Sequence, residues 1–75
     1  MLREIRTLVV NEERHPVENE VWDAWNFANE KHCIVELKWF IPHYGWKVWI
    51  IEPENQIEDL LKNLNIVKTA QPDGM

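Results

Sequence analysis

The chain reads as a two-layer α+β domain of order β-α-β-β-α, whose small three-stranded sheet is centred on a hairpin over residues 33–51. Three observations predict this. Residues 33–41 and 46–51 are rich in β-branched and aromatic side chains and flank Pro42-His43-Tyr44-Gly45, a break that suits a turn. Ahead of the hairpin, Val17, Val21, Ala24, Trp25 and Ala28 recur at the spacing of one amphipathic helical stripe. Behind it, Ile57, Leu60, Leu61 and Leu64 repeat the pattern.

In chain order, residues 2–10 alternate imperfectly but read as a strand, and Asn11-Glu12-Glu13-Arg14-His15 is a polar connector. Pro16 stands where a helix takes its first residue, with Glu18 and Glu20 supplying negative charge to the first turn. This helix is expected to end near His32, where Lys31 and His32 suit the dipole. If strands one and two are parallel neighbours, the helix makes a right-handed crossover between them. Glu52-Pro53 closes the hairpin and opens the second helix, for which Asn63 and Asn65 are candidate terminators. Residues 66–70 then form a short edge strand or a surface segment. Residues 1–70 are expected to form the single domain, and 71–75 a flexible tail.

A four-residue loop at 42–45 sets the hairpin register by counting outward. Ile41 then pairs with Trp46, Trp39 with Val48, Leu37 with Ile50 and Val35 with Glu52, all on a largely apolar core face. The opposite face carries Ile34, Glu36, Lys38 and Phe40 on the first strand and Lys47, Trp49 and Ile51 on the second. Lys38 would stand opposite Trp49, and Phe40 opposite Lys47. This outer face is the candidate site, with Trp49, Phe40, Lys38, Lys47, Ile34 and Ile51 as partner-binding residues, unless residues 54–70 fold over it.

Composition limits what the site can do. Seventy-five residues with five Trp, two Phe and one Tyr bury enough apolar surface for a core without staples. A single cysteine forbids an internal disulfide, no charged segment followed by an apolar run opens the chain, and the apolar runs are too short for a membrane span. A cytoplasmic protein with no membrane association is the expectation. The net charge of −5 is concentrated in the helical segments, since residues 17–32 and 52–65 each sum to −3 while residues 33–51 sum to +1. Acidic helices of this kind are ordinarily solvated faces.

Chemistry finds little support. The helix and the following strand each run about 25 Å in opposite directions, so His15 and His43 fall at one end and His32 and Cys33 at the other. Two ligands at each end cannot make one zinc site, and neither CxxC nor HxxxH is present, so no metal is expected. Cys33 opens an apolar strand and reads as a core residue, not a nucleophile. With two glycines and no phosphate-binding loop, no cofactor is expected. The carboxylates lie on helix faces turned to water by the stripe assignment, whereas a catalytic pair needs a cleft. The sequence therefore predicts a small acidic, non-enzymatic module whose aromatic outer face binds a partner protein, as regulator, adaptor or inhibitor, or binds a second copy of itself. The alternative is a platform for single-stranded nucleic acid, with Phe40 and Trp49 stacking on bases and Lys38 and Lys47 meeting phosphates; the overall negative charge opposes it.

Overall fold

The computed structural model describes residues 3–70, and the proposed tail at 71–75 lies outside the described residues. The elements are β1 (Ile5–Val9), α1 (Glu18–Lys31), β2 (Ile34–Ile41), β3 (Gly45–Ile51) and α2 (Ile57–Ala70), which gives a small α+β fold of order β-α-β-β-α. The sheet order is β1-β2-β3, with β1 parallel and β3 antiparallel to the central β2. Backbone bonds from Ile34 N–H to the Glu4 carbonyl (2.9 Å) and from Val10 N–H to the Lys38 carbonyl (2.8 Å) continue the β1–β2 pairing past both ends of β1.

The core lies between the helices and one face of the sheet. Val35, Leu37, Trp39 and Ile51 from the sheet meet Val21, Ala24 and Ala28 of α1 and Leu60 and Leu64 of α2, and all are buried. Alternation puts Leu8, Val10 and Trp49 on the same inner face. Trp25 and Phe27, flanking the fully buried stripe of α1, pack partly into this core. The Trp25 indole N–H donates to the Asn55 carbonyl at 2.8 Å, tying α1 to the connector before α2.

Helix α1 starts two residues later than Pro16 suggests. Pro16 is buried ahead of the helix and Val17 is the N-cap, with extended backbone and a side chain that cannot accept a hydrogen bond. The cap is completed from inside, because Val17 N–H donates to Glu20 at 2.9 Å. Partial burial works to raise the pKa of Glu20, but its bonds from Arg14 and from Val17 N–H outweigh this and hold the carboxyl below its ordinary value. At the other end the helix closes on His32 in the left-handed conformation (φ 53°), and Cys33 N–H donates back to the Ala28 carbonyl.

Two further boundaries differ from the sequence reading. Helix α2 begins at Ile57, after a turn over residues 53–55 in which Glu52 N–H donates to Asn55 Oδ1 at 2.7 Å, and not at Pro53. It also runs through Asn63 and Asn65 to Ala70, so residues 66–70 are helix and not an edge strand. The reason is that Val67 falls three residues after Leu64 on the same stripe and packs against the core, and this burial overrides the modest preference of Asn for a helix end.

The hairpin register is displaced by one residue from the four-residue-loop expectation. Observed partners are Val35↔Ile51, Glu36↔Ile50, Leu37↔Trp49, Lys38↔Val48, Trp39↔Lys47, Phe40↔Trp46 and Ile41↔Gly45. Only Pro42, His43 and Tyr44 form the loop. Tyr44 N–H donates to the Ile41 carbonyl at 2.9 Å, Pro42 fits the first central position of that turn, and His43 takes a positive φ of 72° at the second. Gly45, counted above as loop, joins the ladder with φ +90°, a conformation open to glycine and strained for other residues. One residue of shift exchanges the two faces of β3.

Candidate interaction face

The exchange decides which side chains face outward. Trp49 and Ile51 turn to the helices, Ile51 fully buried and Trp49 partly so; Lys47 shares their side of the strand and stays exposed at the sheet end. These three of the six residues expected at the site are therefore not on the outer face. Ile34, Lys38 and Phe40 are, as β2 alternation requires. Trp46, Val48 and Ile50, expected in the core, take the outward places on β3.

Strand β1 adds to this surface through its parallel register, in which Ile5 stands beside Ile34, Thr7 beside Glu36 and Val9 beside Lys38. Thr7 Oγ1 donates to Glu36 Oε1 at 3.3 Å, as side chains on one face should. Both helices lie on the opposite face, and Ile5, Val9, Trp46, Val48 and Ile50 each keep between 48% and 60% of their surface exposed. Five large apolar residues this open share one side of a three-stranded sheet, linked across β2 by Ile34 and Phe40 and interrupted at the centre by Glu36 and Lys38, whereas scattered exposure would need no explanation.

One end of the face is aromatic. The Phe40 and Trp46 rings meet edge-on, with centroids 5.4 Å apart, and Lys38 Nζ lies 5.3 Å from the centroid of the Trp46 ring. The cation–aromatic pair is thus Lys38 with Trp46, not with Trp49. Next to it, Val9, Phe40 and Trp46 line a depression of about 330 Å³, to which the connector contributes Glu12 and Glu13. Glu36 and Lys38 are the ionisable groups in the middle of the face, two residues apart along its central strand. At the opposite end Arg3 is bonded to Glu54, whose carboxyl that contact holds below its ordinary value.

A second cleft of about 330 Å³ opens on the helical side between β1 and α1, where Leu8, Val10, Leu37 and Phe27 are joined by Glu20 and Asp23. Glu20 is already engaged by Arg14 and by Val17 N–H. Among the described residues no three His, Cys, Asp or Glu side chains come together as a metal-binding group. No helix among them is long and apolar enough to cross a membrane. Comparison with protein-family models, with curated proteins and with solved structures found no match to this chain.

Glu52 was the sequence signal for the observed register. A four-residue loop sets its carboxylate opposite Val35 on the core face, where burial without a partner costs several kcal/mol. Moving the register by one places Ile51 there and leaves Glu52 exposed.

Proposed function

We propose that this chain is a non-enzymatic protein-interaction module that engages its partner through the outer face of the sheet. The observation that carries the reading is the open apolar surface of Ile5, Val9, Trp46, Val48 and Ile50, with the helices packed on the other side. Leaving such a surface in water forgoes roughly 25 cal/mol for each Å² that a partner would cover, a large standing incentive to bind. Trp46 is the natural anchor, since interface energy concentrates in a few Trp, Tyr and Arg residues. Phe40 supports its ring, and Lys38 sets its charge environment. A protein partner is favoured over nucleic acid because the register leaves Lys38 as the only cation among the strand residues of this face, beside Glu36 and near Glu12 and Glu13.

The test is comparative capture. Wild-type and Trp46→Ala baits, shown by circular dichroism to have the same fold and to remain folded at the assay temperature, are offered to a cell extract and the bound proteins quantified. A specific partner bound by the wild type should lose about 2 kcal/mol or more of affinity for the variant. Equal recovery by the two baits would place the site elsewhere.

A further inference from the structure

We infer that the occupant of the outer face is a second copy of this chain, stacked sheet to sheet with its β2 antiparallel to the first. The inference rests on the interaction-face reading and names the partner. It comes from the symmetry of the charges along β2.

A two-fold axis lying between two such sheets, perpendicular to the strands and level with Leu37, carries each residue to the opposite side of that level. Glu36 of each copy then faces Lys38 of the other, making two ion pairs at the centre of the contact. The same operation sets Ile34 against Phe40 of the second copy, and Ile50, which is level with Glu36, against Val48, which is level with Lys38. On β1 it carries Ile5 toward the depression beside Val9 and Phe40. Val9 is carried over Thr7, and Trp46, level with Phe40, over the end of β3 beside Glu52. The remaining apolar residues meet apolar ones and the central charges meet their opposites, so the centre of the face has the self-complementarity that an isologous interface requires. The competing two-fold, parallel to the strands, sets Glu36 against Glu36 and Lys38 against Lys38. Charge therefore selects the antiparallel stack.

The net charge of −5 does not forbid this pairing. The acidic helices sit on the far side of each sheet, so two sheets and a gap of about 10 Å separate them. That exceeds a Debye length of about 8 Å at physiological salt. The size of the face sets the strength of the contact. Three strands about 4.8 Å apart and seven residues of about 3.3 Å rise give a face of about 330 Å² in projection per copy. The pair therefore falls below the usual size of specific interfaces, so a weak dimer with a dissociation constant on the order of 100 micromolar is expected.

Analytical ultracentrifugation from micromolar to millimolar protein tests the inference. The wild type should pass from monomer to dimer across this range. Glu36→Lys and Lys38→Glu should each weaken dimerisation about tenfold or more by setting like charges face to face, with circular dichroism unchanged because both side chains point away from the core. Mixing the two variants should restore association as a heterodimer, and the double exchange in one chain should restore the homodimer. A wild type that stays monomeric to millimolar concentration overturns the inference, as does a dimer indifferent to both single changes or not recovered by the exchange. Its failure is separable from that of the interaction-face reading. A monomer that still captures a protein in a Trp46-dependent way sinks only the second-copy inference, whereas a monomer that captures nothing sinks both.

Discussion

Three tryptophans of the hairpin occupy three environments, and their substitution should separate packing from binding. Trp39 is 4% exposed, and its indole N–H has no hydrogen-bond partner among the described residues. Truncation to Ala should cost about 3–5 kcal/mol, the range for large core aromatics. Trp39→Phe should cost much less, because it keeps most of the packing and removes a buried donor whose unmet bond costs about 1–3 kcal/mol. Trp49 packs against the core from a partly buried place, so its truncation should destabilise less than that of Trp39 but clearly more than that of Trp46. Trp46→Ala loses one edge-on ring contact and one cation–aromatic contact, roughly 1 kcal/mol together. Urea titration of the four variants checks the order; Trp46→Ala as costly as Trp39→Ala would show that the outer face is buried after all. The core role of Trp39 was legible in the sequence because both candidate registers leave β2 alternation untouched. The roles of Trp46 and Trp49 were not, since one residue of register exchanges them.

At the scale of elements, hydrophobic period carries most of the information and backbone conformation the remainder. Both helices and both hairpin strands follow from spacing alone, and α2 outruns its Asn residues because Val67 extends a stripe already set by Ile57, Leu60 and Leu64. What spacing does not encode is that Gly45 belongs to the strand. Glycine in a four-residue break reads naturally as loop, whereas here its φ of +90° lets the chain re-enter the ladder opposite Ile41 after three loop residues. A side chain at this position meets no atom within 4 Å, so any cost of Gly45→Ala is conformational and not steric crowding. That cost should be about 1–2 kcal/mol, the penalty for a left-handed conformation in a residue with a Cβ. Chemical denaturation measures it. A neutral Gly45→Ala would mean that the hairpin tolerates another turn and that the register of β3, with the composition of the outer face, is not fixed by this glycine.

For the molecule as a whole, charge is arranged by layer. The acidic residues noted above lie largely in the two helical segments, and the sheet places one Glu and one Lys, with Thr7 beside the Glu, at the centre of a mainly apolar outer surface. An expectation of two lysines among aromatics on that surface keeps nucleic acid in view; the observed register removes Lys47 and Trp49 and supplies Trp46, Val48 and Ile50 instead. Contribution of a single lysine to phosphate neutralisation gives a slope of log affinity against log salt no steeper than about −0.7 for single strands. Retention on single-stranded DNA should accordingly be weak at low salt and nearly flat as salt rises, and Lys47→Glu should leave it unchanged. Binding to a protein partner should likewise resist salt, because its energy comes from apolar area and screening acts on the exposed charges around it. A steep salt dependence of DNA retention, abolished by Lys38→Glu with Lys47→Glu, would instead show a basic surface assembled from both faces of the β2–β3 hairpin and would favour nucleic acid as the partner.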